Sequence, residues 1–221
     1  MRVVTGEAKG RKLKGPKTPG TRPIIDRVKT ALFDILSVRV EDARFLDLFA
    51  GIGSVGIEAL SRGAASATFI EMNYSVLKLV RENLKITGLA DRAETLHTDA
   101  FKFLQSYAPE NQSPSRIQKR RQYDIIYVAP PQYHEMAARA LQLLDNSLLV
   151  SDAGLVIIQI HPKERPVVAA VPLKRLTLTG ERRYGSTLLL FYAMNEKKST
   201  YDDTVSETLE SNIEHRSRGQ W

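Results

Sequence analysis

From Phe45 onward the chain alternates between two periodicities, and that alternation leaves few folds open. Phe45–Phe49, Ser66–Ile70, Ala93–His97, Tyr123–Val128 and Leu155–Ile160 are short runs of strand length and β-type composition. Between them lie stretches with helical spacing. These are Val55–Arg62, a run through Val76, Leu77, Leu79, Val80 and Leu84 that ends near Gly88, Ala100–Leu104, and Glu135–Leu144. Strands that alternate with helices join by right-handed crossovers, which gives a mostly parallel sheet with helices on both faces. The expected class is therefore α/β. Two further β-rich runs, Arg175–Leu178 and Ser186–Tyr192, are separated only by Thr179–Gly185, and predict an antiparallel pair at the sheet's edge. Upstream, Val28, Leu32, Ile35 and Leu36 mark an amphipathic helix starting at Asp26. Before it, β-type pieces at Arg2–Thr5 and Arg11–Leu13, around Gly6 and Gly10, fit a small hairpin arm.

A chain of 221 residues that is 43% hydrophobic can bury a sizeable core in one main domain. Expected boundaries are a basic β arm at 1–24, the sheet domain at 25–194 and a disordered tail at 195–221, which is polar and nearly free of large aliphatic residues. Cysteine is absent, which excludes disulfides and thiolate metal sites, and no metal site is expected. No signal-type apolar segment or run of about 20 apolar residues occurs, so a soluble cytoplasmic protein without membrane contact is expected; a monomer is the separate expectation for its assembly. The net charge of +7 favours polyanionic partners. Its distribution is uneven. Arg2, Lys9, Arg11, Lys12, Lys14, Lys17, Arg22, Arg27 and Lys29 face only Glu7 and Asp26, and a second cluster, Arg116, Lys119, Arg120 and Arg121, follows a Pro/Ser/Asn-rich loop.

The stretch Asp47-Leu48-Phe49-Ala50-Gly51-Ile52-Gly53-Ser54-Val55-Gly56 sets three glycines in G-x-G-x-x-G register between a strand and a helix. Such a turn brings backbone amides close to a ligand at a helix N-terminus. Glu71, about 20 residues on at the end of the next strand, is placed to accept from ribose hydroxyls. A dinucleotide would satisfy both features. Asp47 points elsewhere, because a carboxylate in the strand before the glycines can meet the ammonium of an amino-acid moiety, which NAD lacks; alternatively it braces the loop through backbone amides. Asp99 can take an adenine amino group, with the Ala100 amide on a ring nitrogen and Phe101 or Met72 as an apolar face. Asp99 also suits the N-cap of the helix that follows.

The fourth strand runs into Ala129-Pro130-Pro131-Gln132-Tyr133. Two prolines fix the backbone and can aim the Pro130 carbonyl into the cleft. A plain rigid turn is the competing reading.

With the D-x-F-A-G-x-G loop, the acid ending strand two and the Pro-Pro corner ending strand four, the chain resembles amino-methyltransferases with an (Asn/Asp)-Pro-Pro-(aromatic) signature. Gly10-Arg11-Lys12-Leu13, Thr21-Arg22-Pro23, Asp26-Arg27-Val28-Lys29, Leu32-Phe33 and Glu58-Ala59-Leu60-Ser61-Arg62-Gly63-Ala64 narrow this. Together they are similar to RsmD-type 16S rRNA guanine-N2 methyltransferases over roughly Arg2–Tyr192. The resemblance implies a Rossmann-like, seven-stranded methyltransferase sheet with an N-terminal β-hairpin arm. It further implies the donor S-adenosyl-L-methionine and, as substrate, a guanine N2 amino group of 16S rRNA in a small ribosomal subunit or its assembly intermediate. On this reading Asp47, Phe49, Ala50, Gly51, Gly53, Glu71, Met72, Asp99 and Ala100 hold the donor, and Arg11, Lys12, Arg22, Arg27 and Lys29 contact RNA. Ala129, Pro130, Pro131, Gln132 and Tyr133 form the catalytic corner.

The corner departs from the family at two positions. The first signature residue, acidic or amide in the family, is Ala129 here, and the aromatic position is Gln132 with Tyr133 next. Two rivals stay open: an RNA-binding or assembly factor that keeps the fold without catalysis, and an NAD-dependent oxidoreductase.

Overall fold

The computed structural model describes residues 1–15, 26–108, 121–132 and 135–195. Thr21 to Pro23, the Pro114 loop with Arg116 to Arg120, Tyr133 and the tail beyond Asn195 lie outside these. Seven strands form one sheet: β1 (Arg44–Asp47), β2 (Ser66–Glu71), β3 (Ala93–His97), β4 (Tyr123–Val128), β5 (Val150–Ile160), β6 (Leu176–Tyr184) and β7 (Thr187–Met194), in the order β3-β2-β1-β4-β5-β7-β6. The first five pair in parallel, while β7 runs antiparallel to both β5 and β6. The expected antiparallel edge is therefore present. Its hairpin is tighter than the composition suggests, because β6 continues through Thr179 to Tyr184 and turns at Gly185, where φ is +61°.

Helices α1 (Asp26–Leu36), α2 (Ser54–Ser61) and α3 (Tyr74–Thr87) pack on one face. On the other face lie α4 (Ala100–Gln105), α5 (Met136–Asp145) and α6 (Arg165–Ala169). This explains why β1 and β4 read as continuous apolar runs rather than alternating ones: Phe45 and Ile125 enter one core layer, Leu46 and Ile126 the other. Burying each large aliphatic or aromatic side chain contributes roughly 1.5–3 kcal/mol, so this two-layer core dominates stability. Caps set the helix limits. Asn73 accepts from the Ser75 and Val76 amides at the start of α3, and Gly88, at φ +76°, ends it.

The N-terminal residues are docked on the domain rather than extended from it. Arg2 pairs with Lys12 in an isolated antiparallel bridge, and Val3, Ala8 and Leu13 are buried in the α1–α3 layer. The end of α2 receives this segment. Glu58 accepts from the Val4 and Thr5 amides at 2.8 and 2.9 Å, Ser61 Oγ accepts from the Ala8 amide, and the Ser61 carbonyl accepts from the Glu7 amide. Gly6 crosses so close that a Cβ there would lie 1.7 Å from the Ser61 carbonyl oxygen. The Glu58–Ala64 motif and the N-terminal block thus occur together because one binds the other.

Candidate active site

The strand order reverses between β1 and β4, and open α/β sheets bind ligands at such a switch point beyond the strands' carboxyl ends. Three carboxylates and the Pro-Pro corner gather there. Asp47 closes β1, Glu71 closes β2, Asp99 follows β3, and residues 129–132 follow β4. In register Asp47 lies beside both Phe69 and Tyr127, and Glu71 beside His97.

Between β1 and α2 the glycine loop turns at Gly51, φ +52°, and Gly53, φ +80°, left-handed conformations that other residues adopt at a cost. A Cβ at Gly51 would meet nothing within 4 Å, so the loop faces open space there. Gly56 serves packing instead. A Cβ there would lie 2.4 Å from Phe69 Cε1, so this glycine sets how closely α2 approaches β2.

Side chains brace this loop from three directions. Asp47 Oδ2 accepts from the Gly56 amide at 3.1 Å. Glu71 Oε2 accepts from the Gly51 amide at 3.1 Å, and its Oε1 from the Asn73 amide at 2.8 Å. Asn83 Nδ2 donates to the Ile52 carbonyl at 3.0 Å. The bracing reading of Asp47 is thus realised, yet a carboxylate offers about four lone-pair sites, so Asp47 and Glu71 keep capacity for a ligand. Burial of Asp47, reinforced by repulsion from Glu71 and opposed by the Gly56 amide, raises its pKa to about 7.

Asp99 Oδ1 accepts from the Lys102 amide at 2.9 Å and so caps α4, as the simpler of its two readings expects. Ala100 and Phe101 are buried behind it; Phe101 meets Phe49 edge-on with ring centroids 5.9 Å apart, and the Arg139 guanidinium lies 4.1 Å over its ring. Ala50 is buried and its amide donates to the Ile70 carbonyl at 2.9 Å, whereas Met72 stands exposed at the rim. At the corner Pro130 is buried, Pro131 exposed, and Ala129 and Gln132 half-buried. The Ala129 methyl packs against the α1–α3 layer and presents no acceptor. Tyr127, a conceivable substitute, is also committed: its hydroxyl donates to Gln159 Oε1 at 2.5 Å, and burial raises its pKa well above the ordinary tyrosine value.

These features agree with comparisons to known proteins. The family model described as conserved hypothetical protein 95 matches residues 1–193. The chain belongs to that family. Over 159 residues it is 36% identical to ribosomal RNA small subunit methyltransferase D of Escherichia coli K12, covering 72% of this chain and 74% of the relative. The solved structure of Escherichia coli yhhF superimposes with a TM-score of 0.73 at 30% identity, covering 89% of this chain and 99% of that one. An RNA methyltransferase from Salinibacter ruber, solved with S-adenosyl-L-homocysteine, shares the fold at a TM-score of 0.57 and 15% identity, with 81% of this chain and 97% of that one covered. The sheet is that of the S-adenosylmethionine-dependent methyltransferases.

Within this family frame one expected RNA contact needs correction. Lys29 is fully buried; its ammonium donates to the Arg2 carbonyl at 2.7 Å and pairs with Glu58 at 3.1 Å. It anchors the N-terminal segment and meets no solvent. Arg11, Lys12 and Arg27 are exposed, and Arg22 lies outside the described residues. Asn83 and Gln159 escaped the sequence reading, and Glu58 entered it only within the Glu58–Ala64 motif, with no role of its own. For Asn83 and Glu58 a signal existed, since each is a polar residue on a helical stripe that is otherwise apolar.

Proposed function

We propose that this chain transfers a methyl group from S-adenosylmethionine to the N2 amino group of a guanine in small-subunit ribosomal RNA. The observation that carries this reading is the row of Asp47, Glu71 and Asp99 beyond three adjacent strands, next to the open glycine loop and the Pro-Pro corner. Its chemistry fits the donor part by part: Asp47 suits the methionine ammonium, Glu71 the ribose hydroxyls, and Asp99, through its second oxygen, the adenine amino group. A dinucleotide would instead bring a pyrophosphate into this concentration of negative charge, which counts against the oxidoreductase reading.

The donor supplies an electrophilic methyl carbon on a sulfonium that leaves as a neutral thioether. The chain's own work is to hold the base and orient its nitrogen. A guanine amino group is conjugated with its ring and weakly nucleophilic, so positioning and acceptors for its N–H bonds carry the rate. The Ala129 side chain contributes none, which leaves the Pro130 carbonyl and the Gln132 side-chain carbonyl as the proposed acceptors. The proton released after transfer passes to water, because a methylated arylammonium is a strong acid. The target base must first leave its stack, and stacking on it is the role proposed for Tyr133. Residues 1–24 serve as the basic arm for RNA with Arg11, Lys12 and Arg22, joined by Arg27; 25–194 is the catalytic domain.

Incubating the protein with unmethylated small-subunit particles and methyl-labelled donor tests this reading. Label is expected in N2-methylguanosine after nucleoside digestion, and Glu71→Ala is expected to weaken donor binding by about 2 kcal/mol through its lost ribose bonds. Donor and RNA binding without transfer would favour the non-catalytic factor.

A further inference from the structure

Asn83 ties together two parts of the molecule that are far apart in sequence. It is fully buried in α3, and its amide reaches out of the helix: Oδ1 accepts from the Lys14 amide at 2.7 Å, while Nδ2 donates to the Lys14 carbonyl at 3.1 Å and to the Ile52 carbonyl at 3.0 Å. Both backbone groups of Lys14 are thus held by one side chain, as a neighbouring strand would hold them. The third bond reaches the middle of the glycine loop.

From this geometry we infer that Asn83 is a positioning residue that couples the seating of the N-terminal segment to the shape of the donor-binding loop. The inference rests on the donor reading above. Ile52 lies between two residues of positive φ, Gly51 and Gly53, and the peptide joining Ile52 to a left-handed glycine can rotate with little steric penalty. The Gly53 amide at the other end of that peptide donates to the Ala50 carbonyl at 2.8 Å, so Asn83 supplies the second of the two bonds that fix its orientation. No water reaches the amide, so releasing Lys14 leaves buried polar atoms unpaired unless Asn83 reorients, and reorientation releases Ile52. The exposed Lys14–Glu82 ion pair at 3.0 Å, with both side chains about half exposed, adds little to this. Arg11 and Lys12 lie on the same short segment, so whatever grips them acts on the same brace, and such coupling is reciprocal.

Binding of S-adenosylhomocysteine, followed by calorimetry on the full chain, tests the coupling. Lys14→Pro removes the amide donor without touching the loop, and is expected to weaken binding about tenfold, the equivalent of roughly 1.4 kcal/mol. Glu82→Ala removes only the ion pair and is expected to stay within about twofold of the parent. In an Asn83→Ala background, Lys14→Pro is expected to have no further effect, because the brace is already gone. A merely structural role predicts instead that Lys14→Pro lowers the melting temperature while affinity at room temperature stays that of the parent, and that result overturns the inference. Should Asn83→Ala fail to fold, the comparison of Lys14→Pro with Glu82→Ala decides alone. A parent protein that does not bind the probe would instead overturn the donor reading, and this inference with it.

Discussion

The Asp47 carboxylate accepts the Gly56 amide at 3.1 Å, so the last residue of β1 holds the first turn of α2 across the glycine loop. This carboxylate is buried, with its pKa raised to about 7 by burial and by Glu71. The donor's ammonium favours the ionised form, so donor affinity should rise with pH up to about 7 and then level off. Stability runs the other way. Because the folded value lies above that of an unfolded Asp, about 3.9, the fold loses stability as pH climbs from about 4 to about 7. Asp47→Asn should flatten that loss in pH-dependent melts while weakening donor binding. An affinity that stays constant as pH crosses this range would remove Asp47 from the ammonium site.

Lys29 and Glu58 form a fully buried ion pair at the root of the N-terminal segment. Lys29→Met leaves a buried carboxylate with one cation fewer, although Arg62 Nε remains 3.1 Å away, and should cost about 3 kcal/mol in chemical denaturation. The salt dependence of RNA binding should not change. A flattened salt slope with unchanged stability would return Lys29 to the RNA surface.

Arg11 and Lys12 are exposed and make the opposite prediction. Replacing both with Gln should lower RNA affinity and reduce the slope of log K against log salt by about 1.4, at roughly 0.7 per phosphate contact on single strands. Donor affinity should stay near that of the parent. These substitutions isolate the charge effect better than removing the segment, which would strip Val3, Ala8 and Leu13 from the core. An unchanged slope would place the RNA path elsewhere.

At the Pro-Pro corner, Gln132→Ala should slow single-turnover methyl transfer about tenfold at saturating donor, with donor affinity within about twofold. Ala129→Asp should hold or raise the rate by restoring a charged acceptor. A rate indifferent to Gln132→Ala would leave the backbone carbonyls as the acceptors of this corner.

Much of the fold was legible because parallel strands buried on both faces leave a plain record: short apolar runs separated by helical periods. β3, at 93–97, and β4, at 123–128, have the expected limits. β5 begins at Val150, five residues before the apolar run, because Val150 already pairs with Tyr123; the register then shifts across residues 151–154, and regular pairing with β4 resumes at Leu155. The three carboxylates at the strand ends, Asp47, Glu71 and Asp99, were visible through their spacing from the strands. Burial was not. Lys29 reads as a surface cation beside Arg27, since nothing local reveals that Glu58, far along the chain, pairs with it from beneath. Asn83 was missed for a related reason: a polar residue on an apolar stripe signals a buried bond but does not name its partner.

Methyl transfer to ribosomal RNA is tested most directly by mapping methylated nucleotides in 16S rRNA from cells with and without this protein. One guanine is expected to lose its N2 methyl group in the cells lacking the protein, and the parent sequence is expected to restore it while Glu71→Ala restores it poorly. An identical methylation map in the two strains would rule out this activity.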